Sequence, residues 1–142
     1  DQRLLIHTRP YEGIPDLVRT LGRTHTLAVL TNKPEAPSRR LLEAFDLSAA
    51  FRRVVGGDSP WPRKPDPAGL QALMREFDAT PATTVLVGDS MIDVRTARGA
   101  AVRMCVALYG FGQLRGELAL DGTELAVQTP AEIATVLRAA GY

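Results

Sequence analysis

The fold is decided by the stretch Val85-Leu86-Val87-Gly88-Asp89-Ser90-Met91-Ile92-Asp93. Its apolar first part has the composition of a buried strand, and Gly88 allows the sharp turn that ends the strand. Asp89 then lies at the carboxyl end of the predicted strand, where α/β sheets place their ligands. Because Mg²⁺ is commonly held by one or two carboxylates plus substrate phosphate, Asp89 is a candidate metal ligand. An aspartate after a strand is also an ordinary helix N-cap, and this alternative stays open on these residues alone.

Short apolar runs alternate with segments of helical period along the rest of the chain. Such alternation predicts a mainly parallel sheet with right-handed crossovers and helices on both faces, which is an α/β domain covering residues 1–142. The predicted strands cover residues 26–30, 53–55, 84–87, 104–108 and 125–127, and the predicted helices cover residues 15–21, 38–45, 67–77, 92–99 and 130–137, the last with Thr129 as N-cap.

Composition limits the classes of function that remain. The chain has 142 residues, of which 45% are hydrophobic and 23% charged, and this balance is typical of one globular domain with a sizeable core. A formal net charge of +1 gives no electrostatic sign of a nucleic-acid or membrane partner. No apolar run reaches membrane-spanning length, and the N-terminus lacks the pattern of a signal peptide, so a cytoplasmic protein is expected. The oligomeric state cannot be read from these features.

Four isolated residues receive structural interpretations. The single cysteine, Cys105, lies in an apolar run and is expected to be a buried packing residue in a reducing compartment. His7 and His25 have no cysteine or carboxylate at ligand spacing and are interpreted as surface or helix-cap residues. Trp61, between two prolines, either borders the entrance of a ligand site or anchors a packed loop.

Two further loops follow strand ends and carry groups that can bind an anion. After the strand 26–30, Thr31 offers a hydroxyl and Asn32 offers an amide. The backbone that follows offers free N–H groups, and this combination can hold phosphate oxygens. In the loop 58–67, prolines limit the backbone freedom around Lys64 and could aim its ammonium group at an anion. Taken singly, these segments are also compatible with a plain βα turn and a solvated lysine.

In order along the chain, Thr31, Lys64 and the Gly-Asp-x-x-x-Asp of residues 88–93 resemble motifs two, three and four of the haloacid-dehalogenase-like hydrolase superfamily. The resemblance covers nearly the whole chain. It implies a Rossmann-like α/β/α core and a Mg²⁺-dependent phosphatase acting on a small phosphorylated metabolite such as 2-phosphoglycolate. The segments that look most like the phosphoglycolate phosphatase branch are residues 11–15, 30–34, 56–59, 64–67 and 87–90.

The resemblance also implies roles for individual residues. In the family, an aspartate on the first strand attacks phosphorus to form an aspartyl-phosphate, and a second aspartate two residues later acts as general acid and base. Asp89 matches the Mg²⁺ ligand, and Lys64 would offset negative charge on the nucleophile and the phosphate. Thr31 would donate its hydroxyl to the transferring group, Asn32 would support that turn, and Asp93 would position Lys64 or the metal-bound waters.

The sequence departs from the family at the nucleophile, because no Asp-x-Asp-x-Thr motif follows an apolar strand anywhere in it. The nearest imitation, around Asp121, has Ala119 two positions earlier and is interpreted as a loop turn. Residues 9–11, close to the start of the chain, resemble the segment in which family members leave the helical cap. The central first strand and the cap, which precede this segment in the family, are therefore expected to be missing. We therefore expect two unpaired sheet edges, and a chain that is inactive and prone to aggregate or that pairs with a supplied strand.

Two other functions compete with a phosphatase. A non-catalytic relative that binds magnesium or a protein partner would keep the same loops without a nucleophile. A dinucleotide-binding module is suggested by Gly110, Gly112 and Gly116, but the last glycine lies four residues after the second instead of three. The acidic Glu132, twenty residues after Gly112, is already expected to serve a capping box.

Overall fold

The structure is a computed structural model, and it describes residues 3–8, 15–110 and 121–142. Strands and helices alternate through most of this part of the chain, as the sequence predicts. The strands are β1 (Arg3–His7), β2 (His25–Leu30), β3 (Arg53–Val55), β4 (Thr84–Gly88), β5 (Arg103–Ala107) and β6 (Leu125–Val127), and the helices are α1 (Pro15–Gly22), α2 (Glu35–Ala44), α3 (Ala68–Glu76), α4 (Met91–Gly99) and α5 (Glu132–Ala139).

All six strands belong to one parallel sheet with the order β3-β2-β1-β4-β5-β6. The chain winds outward from β1 in both directions, so β1 and its two neighbours surround the point where the strand order reverses. Ligands of such sheets bind in the crevice outside the carboxyl ends of the strands at this point. The α/β fold class is confirmed, and it places the loops after β1, β2 and β4 beside one another.

The expectation that the central position of the sheet is empty is wrong, because residues Arg3–His7 occupy it with a strand that does not carry the Asp-x-Asp-x-Thr motif. β1 pairs with β2 on one side and with β4 on the other, so neither neighbour has the unpaired edge that the sequence led us to expect. The apolar run Leu4-Leu5-Ile6 is no shorter than the runs at residues 53–55 and 125–127, but it precedes the segment at residues 9–11 that resembles the exit from the cap, so the resemblance does not predict a strand there. All three side chains are buried in the core, as the centre of a parallel sheet requires.

The core has two halves, one on each face of the sheet. Successive side chains of a strand point to opposite faces, so Leu4 and Ile6 join one half and Leu5 the other. The first half is completed by α3 and α4, and the second by α1, α2 and α5. This arrangement is the three-layer α/β/α architecture that the sequence predicts.

Two helices begin two or more residues away from the expected position. Helix α2 begins at Glu35 directly after Pro34, and the carboxylate of Asp58 accepts a hydrogen bond from the Glu35 N–H at 2.9 Å. Helix α5 begins at Glu132, so Thr129 precedes the helix by a turn and is not its N-cap. The hydroxyl of Thr129 donates to the Glu132 carboxylate at 3.3 Å, which keeps part of the predicted contact.

The interpretation of the two histidines as surface residues is wrong, because His7 and His25 are buried. The helix-cap alternative is confirmed for His25, whose Nδ1 lies 3.3 Å from the Leu21 carbonyl in the last turn of α1. Both histidines begin or end central strands, where neighbouring elements cover them. Burial, and secondarily the charge of His25, lowers the pKa of His7 from 6.5 to about 4. Burial also lowers the pKa of His25.

The expected burial of Cys105 and the packed-anchor alternative for Trp61 are confirmed. Cys105 is a buried free thiol, and burial raises its pKa to about 12. Trp61 packs against the core half under α3 and α4, so it anchors its loop.

Asp121 and Thr123 form a turn in which the Thr123 hydroxyl donates to the Asp121 carboxylate at 2.6 Å. The proposed match at residues 11–14, the glycines at 112 and 116, and residues 119 and 120 lie outside the described residues. No helix in the described ranges is long and apolar enough to cross a membrane.

Candidate active site

A cavity of about 450 Å³ opens at the carboxyl ends of the central strands. Its walls come from the loops after β1, β2 and β4 and from the proline-rich loop before α3. The residues that line it are Thr8, Thr31, Asn32, Lys33, Lys64, Asp89, Ser90, Ile92 and Asp93. All five residues that the sequence singled out therefore lie around one space.

The centre of the site is a buried ion pair between Lys64 and Asp93. The Lys64 ammonium lies 2.8 Å from Asp93 Oδ1, and the two side chains are only 8% and 3% exposed. The second carboxylate oxygen of Asp93, Oδ2, accepts hydrogen bonds from the Thr8 hydroxyl at 3.2 Å, the Asp89 N–H at 3.1 Å and the Ser90 hydroxyl at 3.1 Å. A buried carboxylate with this many donors is fixed in place.

The N-cap of helix α4 is Ser90, not Asp89. The Ser90 hydroxyl oxygen accepts a hydrogen bond from the Asp93 N–H at 3.3 Å, and its backbone is extended, as an N-cap requires. This settles the alternative that the sequence left open for Asp89. The Asp89 side chain lines the cavity beside the Lys64–Asp93 pair.

Gly88 makes the approach of Asp93 to the strand end possible. A Cβ atom at Gly88 would lie 2.5 Å from Asp93 Oδ2 and 2.7 Å from its Cγ, closer than atoms can stand. The glycine of the Gly-Asp-x-x-x-Asp pattern is therefore required by the carboxylate four residues after Asp89, in addition to the turn itself.

The loop after β2 presents Thr31 and Asn32 to the same cavity. The Thr31 N–H donates to the Val55 carbonyl at 3.0 Å, which ties the loop to β3, and the Thr31 hydroxyl oxygen accepts from the Lys33 N–H at 3.1 Å. The Asn32 amide points to the proline-rich loop. Its Oδ1 accepts from the Lys64 N–H at 2.9 Å, and its Nδ2 donates to the Lys64 carbonyl at 3.1 Å.

The donor set fits a weakly held Mg²⁺ ion. Within the described ranges, no three His, Cys, Asp or Glu side chains are grouped so that they could hold a metal by themselves. Asp93 is committed to Lys64 and to three hydrogen-bond donors, which leaves Asp89 as the carboxylate that would hold the ion. Mg²⁺ accepts such a site when water and substrate phosphate supply its other oxygen ligands.

The carboxyl end of β1 carries Thr8, a residue that the sequence analysis missed together with its strand. The hydroxyl of Thr8 lines the cavity and donates to Asp93. Among the described residues that line this cavity, the carboxylates are Asp89 and Asp93. The signal that could have found Thr8 is the placement of a hydroxyl residue directly after the short apolar run at residues 4–6.

Fold and cavity together define a doubly wound α/β domain whose polar site lies at the reversal point of its sheet. The family model of the haloacid dehalogenase-like hydrolases matches residues 2–107, and the chain belongs to this family.

Relatives of known name agree with the predicted branch. A phosphoglycolate phosphatase of Rhodospirillum rubrum is 41% identical over 120 residues, which are 78% of this chain and 50% of that protein. Phosphoglycolate phosphatase 1 of Pseudomonas aeruginosa is 38% identical over 109 residues, which are 76% of this chain and 40% of that protein. The chain thus spans half or less of the length of these relatives.

Solved structures show the same fold. A haloacid dehalogenase superfamily hydrolase of Geobacter sulfurreducens has a TM-score of 0.74 and 25% identity, covering 89% of this chain and 60% of that one. The core domain of a Streptococcus pneumoniae protein, solved by NMR, has a TM-score of 0.78 and 15% identity, with 97% of this chain and 96% of that one covered. The second likeness concerns the fold alone.

Proposed function

We propose that this chain forms the phosphate- and magnesium-binding part of a phosphomonoester hydrolase that acts on a small phosphorylated metabolite such as 2-phosphoglycolate. The observation that carries the proposal is the convergence of Thr31, Lys64 and Asp89, from three separate loops, on one cavity. A hydroxyl, an ammonium and a carboxylate are the groups that bind phosphoryl oxygens and their Mg²⁺. The names of the relatives in Rhodospirillum rubrum and Pseudomonas aeruginosa support phosphoglycolate as the substrate.

In this proposal, Thr31 donates its hydroxyl to a phosphoryl oxygen, and Lys64 offsets the negative charge of the phosphoryl group. Asp93 holds the Lys64 ammonium where it serves this purpose. Asp89 would hold Mg²⁺, which when bound neutralises further phosphoryl charge. Each of these contributions is electrostatic, as phosphoryl transfer requires.

The covalent step through an aspartyl-phosphate needs a carboxylate at the end of the central strand. The described structure has the Thr8 hydroxyl there, which lacks the charge and low pKa of a carboxylate nucleophile. The chain alone is therefore proposed to bind phosphate without hydrolysing its esters. We place the protein in the cytoplasm, since the buried Cys105 thiol suits a reducing compartment and small phosphorylated metabolites are made there.

Calorimetric titration of the chain with inorganic phosphate, with and without MgCl₂, tests the binding part of this proposal. We expect phosphate to bind, and to bind more tightly when Mg²⁺ is present. Thr31→Val is expected to weaken binding under both conditions, whereas Asp89→Asn removes the effect of Mg²⁺. Asp66→Asn, on the surface of the proline-rich loop, is the matched control because its capping oxygen is kept. Absence of phosphate binding by the unmodified chain contradicts the proposal.

Thr8 favours one alternative, a non-catalytic relative that binds magnesium or a partner through the same loops. To distinguish the two functions, the chain alone is compared with a longer protein in which a strand carrying the Asp-x-Asp-x-Thr motif precedes it. Hydrolysis of 2-phosphoglycolate by that protein, and not by the chain alone, supports the phosphatase. Phosphate binding without hydrolysis in both supports the non-catalytic relative.

A further inference from the structure

We propose that Asn32 is a positioning residue for Lys64, and that its side chain acts across two loops instead of supporting its own turn. The inference rests on the proposed function and deepens it. Asn32 and Lys64 are 32 residues apart, yet both polar atoms of the Asn32 amide are bonded to the backbone of Lys64. The amide accepts from the Lys64 N–H and donates to the Lys64 carbonyl, so it fixes the two peptide groups that flank this residue.

Lys64 needs such support because of the loop in which it lies. The segment from residue 58 to 67 contains four prolines, which have no N–H to donate, and it lies outside the sheet and the helices. The bond from the Asp66 N–H to the Arg63 carbonyl, at 3.1 Å, closes a turn around Lys64 but does not tie the loop to the rest of the site. Trp61 packs this loop against the core, and Arg63 Nε donates to the Gly57 carbonyl at 3.2 Å. It is the Asn32 amide that ties the backbone of Lys64 itself to the loop after β2.

A fixed backbone at Lys64 determines where its ammonium group can lie. The side chain is 8% exposed and reaches Asp93 Oδ1 at 2.8 Å, while it also lines the cavity. An ammonium group has three donors, of which this contact uses one. The other two can bind an anion in the cavity only if the Lys64 side chain starts from a suitable backbone position, and Asn32 fixes that position.

The backbone of Asn32 is itself held in place by contact with the turn at residues 56–58. A Cβ atom at Gly57 would collide with the Asn32 carbonyl oxygen, so the two backbones are in direct contact. The Gly57 N–H donates to the Lys33 carbonyl at 2.7 Å, and Asp58 accepts from the Glu35 N–H at 2.9 Å. The position of Asn32 is therefore set on both sides, and it transmits this position to Lys64.

The chain is well suited to a direct test, because Asn32 is its only asparagine, and Lys33 and Lys64 are its only lysines. Lysine labelled with ¹³C and ¹⁵N in the side chain gives two sets of NMR signals, and the Lys33→Arg variant assigns them. Lys33 itself lines the cavity, so the reference for a solvated side chain is free lysine in the same buffer. Two variants are compared with the unmodified chain: Asn32→Ala, which removes both bonds, and Asn32→Asp, which keeps the acceptor for the Lys64 N–H. Asp66→Asn is again the control.

In Asn32→Ala we expect the side-chain signals of Lys64 to move towards those of free lysine, and the shift that inorganic phosphate induces in them to shrink. Phosphate affinity falls about tenfold, which corresponds to about 1.4 kcal/mol and is the size expected for two neutral hydrogen bonds. Asn32→Asp is judged by the Lys64 signals, which move less than in Asn32→Ala, because its added negative charge weakens phosphate binding directly. Asp66→Asn matches the unmodified chain. If Asn32→Ala fails to fold, the comparison of Asn32→Asp with Asp66→Asn decides the matter in the same way.

Unchanged Lys64 signals in the folded Asn32 variants overturn the inference, whatever happens to phosphate affinity, because Asn32 then acts without moving Lys64. This outcome leaves the proposed function intact when the unmodified chain binds phosphate. Conversely, a chain that binds no phosphate refutes the proposed function, while the Lys64 signals still report whether Asn32 positions this residue.

Discussion

The ammonium nitrogen of Lys64 lies 2.8 Å from Oδ1 of Asp93, across 29 residues of sequence, and hardly any solvent reaches either side chain. Lys64 comes from the proline-rich loop before α3 and Asp93 from the first turn of α4, so this contact joins the two halves of the cavity. An ion pair in such surroundings stabilises the fold only while both partners are present, since either charge alone would be buried without compensation.

Asp93→Asn is therefore expected to lower the free energy of unfolding by about 3 kcal/mol, the usual range for removing one partner of a buried pair. Denaturation in urea measures this loss. Asp46→Asn makes the same chemical change in the pair of Arg19 and Asp46, which is 2.7 Å long but exposed, and it should cost about 1 kcal/mol or less. Equal effects of the two substitutions would show that burial does not strengthen the Lys64–Asp93 pair.

Thr8→Asp places a carboxylate at the end of the central strand, next to Lys64 and Asp93. This substitution supplies the attacking carboxylate but not the second aspartate that acts as general acid and base in the family. Because nitrophenolate leaves without a general acid, we expect slow, Mg²⁺-dependent hydrolysis of p-nitrophenyl phosphate, at least about tenfold faster than with Thr8→Asn, which has the same shape without the charge. Release of nitrophenolate measures it. Equal rates for the aspartate and asparagine variants would exclude a nucleophilic role for residue 8.

Whether the sequence predicts a part of this site depends on how far apart along the chain the contacting residues are. The strand and turn around Gly88 were predictable, because an apolar run followed by glycine and aspartate is a local pattern. The bonds between Asn32 and Lys64 were not, since they depend on the packing of two loops far apart in sequence. The central strand was not predicted for a related reason: its apolar run precedes a segment that resembles the end of the cap, and its place in the sheet follows from pairing with β2 and β4.

The buried His7 should make the stability of the protein depend on pH. Its pKa is about 4 in the native state and 6.5 in the unfolded chain, so the unfolded chain binds more protons between these values. Above pH 6.5 His7 does not lower the free energy of unfolding. As the pH drops towards 4, this one group lowers the free energy of unfolding by about 3 kcal/mol in total. His7→Leu should flatten this part of the curve of melting temperature against pH. An unchanged slope in this variant would assign the pH dependence to other groups.

Cys105 should resist thiol reagents while the protein is folded. Its thiol is fully buried, and its pKa of about 12 leaves almost no thiolate at pH 8. Iodoacetamide is expected to leave the native protein unmodified and to add one group in concentrated urea, as read by mass spectrometry. Since the chain has a single cysteine, modification of the native protein would directly contradict the burial of β5.

Gly88→Ala tests whether the site depends on the close approach of Asp93 to the strand end. The new methyl group would lie 2.5 Å from Asp93 Oδ2, so the carboxylate has to move away from Lys64 and from its three donors. We expect a loss of about 2 kcal/mol in the free energy of unfolding, as in overpacked cores, and at least about tenfold weaker phosphate binding. Gly22→Ala is the matched control, because its methyl group meets only Leu27 at 3.7 Å, an ordinary contact. If Gly88→Ala binds phosphate as tightly as Gly22→Ala, the position of Asp93 does not control the anion site.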